Sequence, residues 1–329
     1  MKKIISALLA LCILFSLCAC TASSEQKSEP RLRILCTLFP QYDWLRNVTE
    51  GIEGVEVSLI IANGTDPHSY QPTAADIMSI SNCDMLVYVG GDSDTWVKKA
   101  IERSKNQDLT AVALTELEGI TLREISAESH SHDGHSHSDD HAHEHSALDE
   151  HLYLSLNNAI TATIALTKTL TELDTQNAAA YIRNSTKYAS KLYTLGRGLQ
   201  SDLSTLDEES KFILFADRFP FVYLLSDYGI HYAVAFEGCT TDVDADFDTV
   251  IRLIHEADEH NVKYIAVTES GSTALASTVI SSTKSKNQEI ITLNSMQAVT
   301  KTQIENGATY LSVMEENINK VKTALGLDA

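Results

Sequence analysis

Leu32-Arg33-Ile34-Leu35-Cys36-Thr37-Leu38 is an apolar run, Gln41–Glu50 is an amphipathic stretch closed by Gly51, and Val55-Glu56-Val57-Ser58-Leu59-Ile60-Ile61 is a second apolar run. These read as strand, helix and strand. The alternation continues outward. Thr73–Asn82 reads as a helix capped by Thr73. Met85–Val89 reads as a strand ended by Gly90-Gly91, Asp94–Lys105 as a helix and Thr110–Leu114 as a fourth strand. Short strands separated by helices of this length form βαβ units with a mainly parallel sheet.

Two long helical tracts follow. Ser155–Leu173 sets Leu156, Ile160 and Ile164 in one row and Leu166, Leu170 and Leu173 in another. Thr175–Leu206 carries Tyr181, Tyr188, Leu192, Leu195 and Leu199 on one face, and Gly196 and Gly198 weaken it without ending it. A helix of about thirty residues spans about 45 Å, enough for a rigid strut. The alternation then resumes, with strands at Phe212–Phe215, Tyr232–Phe236, Tyr264–Thr268 and Ile290–Leu293. Helices are expected at Phe219–Tyr228, Asp244–Glu259, Ser272–Thr283 and Val299–Leu325. The expected fold is α/β: two lobes, residues 31–173 and 207–329, each a mainly parallel sheet flanked by helices, joined by a long rigid helix over residues 174–206.

Residues 1–20 stand outside this plan. Lys2 and Lys3 precede an apolar run from Ile4 to Leu17 that is too short for a spanning helix and reads as a signal peptide. Leu17-Cys18-Ala19-Cys20 resembles a bacterial lipobox, in which Cys20 is lipidated, and residues 21–30 read as the polar tether. The expectation is a chain anchored by lipid to the outer face of the cell membrane. Removing residues 1–19 takes away two lysines and no acid, which moves the formal net charge from −20 to −22. Such a charge repels nucleic acid and attracts cations. Beyond the leader the cysteines are Cys36, Cys83 and Cys239, too scattered for a disulfide framework or a C-x-x-C zinc site, and the sequence assigns them no role.

Residues 126–147 are dominated by histidine: His130, His132, His135, His137, His141, His143 and His145 are seven of the chain's twelve, with Asp133, Asp139, Asp140 and Glu144 among them. The segment has too few apolar residues to pack a core, which predicts a disordered loop. Imidazole with carboxylate suits Zn²⁺, with Cu²⁺ and Ni²⁺ as competitors, so the loop reads as an auxiliary metal binder. The irregular spacing and mid-chain position argue against an artificial tag.

Parallel sheets hold ligands just past the carboxyl ends of their strands. His68 lies there, in Asp66-Pro67-His68-Ser69-Tyr70, and so do Asp217, Glu269 and Asn294. His151 follows Asp149-Glu150 at the start of a helical tract. Two histidines with one or two oxygen ligands make a four-coordinate zinc site. His231, His255 and His260 are given no role.

Asp66-Pro67-His68-Ser69-Tyr70-Gln71-Pro72-Thr73-Ala74-Ala75-Asp76 resembles the D-P-H-x-Y-x-P-T-x-x-D signature of cluster A-I solute-binding proteins, the zinc and manganese receptors of ABC importers. Asp84-Met85-Leu86-Val87-Tyr88-Val89-Gly90 continues the match, with Trp96 in place. Asp149-Glu150-His151-Leu152-Tyr153 resembles the family's second ligand motif, and Tyr228-Gly229 the segment after its third. The resemblance implies two α/β lobes with the ion between them, His68 and His151 as ligands, and a permease and ATPase as partners. It implies a monomeric receptor and no enzyme. At the third motif this chain offers Asp217, although a gapless match from Tyr228-Gly229 falls on Arg218. At the fourth it offers Asn294, with Glu269 as a further donor. The His-rich loop favours Zn²⁺ as the transported ion, with Mn²⁺ as the alternative. A metal-dependent hydrolase is the competing class, but no H-E-x-x-H motif, nucleophile elbow or phosphate-cradling glycine loop supports it.

Overall fold

The computed structural model describes residues 30–125, 148–236, 238–239 and 245–327. The expected leader with Cys20, and the His-rich segment with His130, His132, His135, His137, His141, His143 and His145, lie outside the described residues. Leu32–Ala329 form one compact unit.

The first half opens with β1 (Leu32–Cys36), α1 (Phe39–Val48) and β2 (Val55–Leu59). It continues with α2 (Ala74–Asn82), β3 (Met85–Tyr88), α3 (Thr95–Arg103) and β4 (Thr110–Ala113). All pairings in this sheet are parallel, in the order β2-β1-β3-β4. Two helices follow: α4 (Leu156–Leu173) and α5 (Ala178–Leu203). At 26 residues α5 is about 39 Å long. The second half runs β5 (Phe212–Phe215), α6 (Val222–Asp227), β6 (His231–Val234), α7 (Phe247–Glu259), β7 (Tyr264–Thr268), α8 (Ala274–Ser282) and β8 (Glu289–Leu293). Its sheet is again wholly parallel, in the order β6-β5-β7-β8. The chain closes with α9 (Lys301–Glu305) and α10 (Tyr310–Ala324).

Three expected helices differ from what the structure shows. Phe219–Tyr228 shortens to α6, because Phe219 donates its N–H to the Gly238 carbonyl instead of entering a helix. The tract Val299–Leu325 breaks into α9 and α10 at Gly307, whose φ of 94° is left-handed. Thr309 then restarts the helix, its hydroxyl capping the Ser312 N–H. Asp94 lies in front of α3 and not within it, because its carboxylate accepts the Val89 and Gly90 N–H groups at 2.7 and 3.0 Å.

One core runs through both halves. It gathers Ile34, Trp44, Met85 and Tyr153 from the first with Phe215, Phe219 and Tyr223 from the second. The C-terminal helix returns to the first half: the Tyr310 N–H donates to Asp43 at 3.0 Å, and its hydroxyl donates to the Tyr153 carbonyl at 2.7 Å. The Tyr310 ring meets Trp44 edge-on, with centroids 5.3 Å apart. These contacts tie the C-terminal helix to α1 and to the turn that follows His151.

Candidate metal centre

Asp66-Pro67-His68 folds as it does because Pro67 sets the first residue of a single 3₁₀ turn and the Asp66 carboxylate accepts the His68 N–H at 3.0 Å. The other Asp66 oxygen accepts from Arg218 at 3.0 Å, which ties the turn to the second half. His151 precedes a second 3₁₀ turn, Leu152–Leu154, and is almost wholly buried. The two histidines meet: their Nε2 atoms are 3.3 Å apart.

Each ring is oriented from behind. The His151 Nδ1 lies 2.9 Å from the Asp149 carboxylate, which can only accept, so this nitrogen carries the proton. The same carboxylate oxygen takes the His151 backbone N–H at 2.8 Å. The His68 Nδ1 lies 2.7 Å from the Ser93 hydroxyl. Ser93 is held by Glu150, which accepts its N–H at 2.9 Å. Tyr223, from α6, donates to the Asp149 carbonyl at 2.7 Å. With both Nδ1 atoms engaged, both Nε2 atoms face one spot. Ligating histidines are oriented in this way by their other nitrogen. A tetrahedral ion with metal–nitrogen bonds of about 2.0–2.1 Å has its ligand nitrogens about 3.3–3.4 Å apart, which the observed spacing matches.

Two second-half residues reach the same spot. The Cys239 Sγ lies with both imidazoles in a group whose ligand atoms are all within 4.8 Å of one another, the one such group among the described residues. The Gln297 amide nitrogen sits 2.8 Å from the His151 Nε2 and 3.0 Å from the His68 Nε2. Burial would raise the Cys239 thiol, but His151 and His68 outweigh it and bring the pKa down to about 7. Burial would lower His151, but Cys239 and Asp149 outweigh that and raise it.

A family model described as zinc-uptake complex component A, periplasmic (ZnuA), matches residues 34–324. The chain belongs to this family. Among its relatives, the zinc-binding lipoprotein AdcA of Streptococcus pneumoniae is 29% identical over 328 residues, 98% of this chain and 61% of AdcA. The chain thus spans under two thirds of the length of AdcA. The high-affinity zinc uptake system protein ZnuA of Bacillus subtilis is 29% identical over 305 residues, 93% of this chain and 91% of that protein. The crystal structure of the metal-dependent lipoprotein YcdH from Bacillus subtilis superposes with a TM-score of 0.71 at 25% identity. It covers 89% of this chain and 99% of YcdH. Two parallel four-stranded sheets flanked by helices are therefore the family's fold.

Within that fold the expected oxygen ligands are engaged elsewhere. Asp217 accepts the Thr268 N–H at 2.9 Å and its hydroxyl at 2.5 Å. Glu269 accepts the Ser295 N–H and hydroxyl, both at 2.8 Å. The Asn294 side-chain oxygen accepts the Met296 N–H at 2.8 Å. Asp217 and Glu269 lie outside the His68–His151–Cys239 group. Arg218, where the gapless match places the third motif's ligand, pairs with Asp66 and also donates to the Ser270 hydroxyl at 3.2 Å. Cys239 and Gln297 escape the sequence reading because neither sits in a spaced motif. The one available signal for Cys239 is its place beyond an expected strand, the same rule that selected Asp217.

Proposed function

We propose that this chain is a receptor that captures Zn²⁺ outside the cytoplasm and hands it to the permease and ATPase of an ABC importer. Zn²⁺ is cargo, held by His68 and His151. The observation that carries the reading is the pair of Nε2 atoms 3.3 Å apart, each ring fixed through its Nδ1. Membership of a zinc-uptake family supports it. The lipobox ending at Cys20 would hold the receptor at the outer face of the membrane. No described helix is long and apolar enough to cross a membrane. The lobes proposed at 31–173 and 207–329 would shield the ion between them. Residues His130–His145 would gather further ions weakly, because ordering a polar segment around an ion costs about 1–2 kcal/mol per residue in backbone entropy.

Chelator-competition titration tests this on protein lacking residues 129–146. One tight zinc site is expected to remain, with Mn²⁺ displaced by Zn²⁺. His68→Ala and His151→Ala should each weaken zinc more than about 100-fold, beyond the range for loss of an outer-shell partner. Unchanged affinity in both variants would refute the reading.

A further inference from the structure

We infer that Cys239 is a third ligand of the captured ion, bound through sulfur, so that the donor set is two imidazole nitrogens and one thiolate. The inference deepens the receptor reading and rests on it. On binding, the Cys239 S–H bond breaks, a sulfur–metal bond forms and the proton leaves to solvent, with no change of oxidation state.

The geometry requires little movement. With bonds of about 2.3 Å to sulfur and about 2.0–2.1 Å to nitrogen, a tetrahedral ion sets sulfur about 3.5 Å from each ligand nitrogen. The three ligand atoms lie within 4.8 Å of one another, so a shift of about 1 Å completes the set. The anionic donors expected from the second half, Asp217 and Glu269, lie outside this group of ligand atoms. Arg218 carries a positive charge and cannot ligate. Cys36 and Cys83 are first-half residues buried in hydrophobic clusters.

Topology points the same way. His68 lies in the loop after β2, and Cys239 lies in the loop after β6. Both strands are second in their half and lie at the edge of a sheet of the same order.

The consequence is a class of ion. A thiolate donor favours zinc and softer ions such as cadmium and cuprous copper, whereas manganese prefers oxygen. Gln297 closes the fourth side. Its amide N–H cannot donate to nitrogens whose lone pairs bind an ion, so metal entry must displace it.

Cobalt(II) tests the inference, because its visible bands report coordination and its near-ultraviolet charge-transfer band reports thiolate. The experiment uses reduced protein lacking residues 129–146, with Cys239→Ser, Cys36→Ala and Cys83→Ala variants. Wild type, Cys36→Ala and Cys83→Ala should show the charge-transfer band; Cys239→Ser should lose it while retaining weaker visible bands from the histidines. In competition, Cys239→Ser should lose more than about 100-fold in zinc affinity, beyond an outer-shell loss, with manganese little changed. Visible bands without charge transfer in the wild type would overturn the sulfur ligand and leave the receptor reading standing, as would a charge-transfer band that persists in Cys239→Ser. Absence of cobalt and zinc binding to the wild type would overturn both.

Discussion

His68 follows β2 and Cys239 follows β6, and these strands are the same strand in two copies of one topology, β2-β1-β3-β4 and β6-β5-β7-β8. The halves differ in how firmly they hold what they present. The first half gives two imidazoles, each anchored through Nδ1, and Glu150 links the two anchors through Ser93. The second gives a half-buried sulfur that lies 3.9 and 4.0 Å from the Gln297 amide, with no carboxylate or hydroxyl among the described residues behind it as an anchor. The difference separates two tasks. On the proposed reading, the rigid half would set where an ion sits and the looser half which ion is accepted.

The anchors therefore offer the largest effect in this comparison. Asp149→Asn keeps the shape but replaces a charged acceptor with an amide, which weakens orientation of the His151 ring. Loss of an outer-shell partner costs about 10–100-fold in metal affinity. Asp149→Asn should weaken zinc across that range, and Ser93→Ala, which frees the more exposed His68, should sit near its lower end. Competition titration reads both. Equal losses would mean that the two imidazoles are not held as differently as their burial suggests.

The two halves repeat a second feature. Asp94 holds the end of β3 by accepting the Val89 and Gly90 N–H groups, and Asp217 holds the end of β7 by accepting from Thr268. Both are buried, and β3 and β7 are the third strands of their halves. On this comparison Asp217 acts as a clamp at the strand end. Asp217→Asn should cost about 1–3 kcal/mol in urea unfolding and leave zinc affinity unchanged. A large loss of affinity with little loss of stability would restore Asp217 to the metal.

Asp94 adds a pH signature. Burial raises its pKa to about 6, and the backbone hydrogen bonds only partly oppose this. The folded state therefore holds the proton more tightly than the unfolded chain. The stability this group contributes is full below about pH 4 and is lost as pH rises through about 6, an effect of about 3 kcal/mol. Asp94→Asn should flatten the urea midpoint between pH 4 and 6 by that amount. An unchanged slope would show that other carboxylates govern the range.

The strands were legible because buried parallel strands are continuous apolar runs, and Phe212–Phe215 and Tyr264–Thr268 fall where those runs end. The break at Gly307 was not, since the apolar spacing continues across it while the backbone turns left-handed. In the site, the meeting residues His68 and His151 stand out in the sequence as histidines in acidic turns beside expected strand and helix ends, and their role as ligands is proposed. Position past a strand also singles out Asp217, Glu269 and Asn294, and position does not reveal which N–H groups those side chains accept. Gln297 meets His68 across 229 residues, and no local pattern encodes such a meeting.

Gln297 carries the smallest effect and tests the comparison most finely. Its amide nitrogen lies 2.8 and 3.0 Å from the two imidazole nitrogens, so it competes with any ion for their lone pairs. Its oxygen is 3.1 Å from the Ser295 hydroxyl, which helps to hold the amide in place. Displacing the amide nitrogen from these two acceptors costs about 1 kcal/mol net, or a few-fold in affinity. Gln297→Ala should therefore tighten zinc by a few-fold. Gln297→Glu puts a carboxylate at the same distance from the ion, a hard donor opposite the Cys239 sulfur, and should raise Mn²⁺ relative to Zn²⁺. If Gln297→Ala instead weakens zinc, the amide turns its oxygen to the ion and serves as a fourth ligand, and the second half contributes half of the coordination shell.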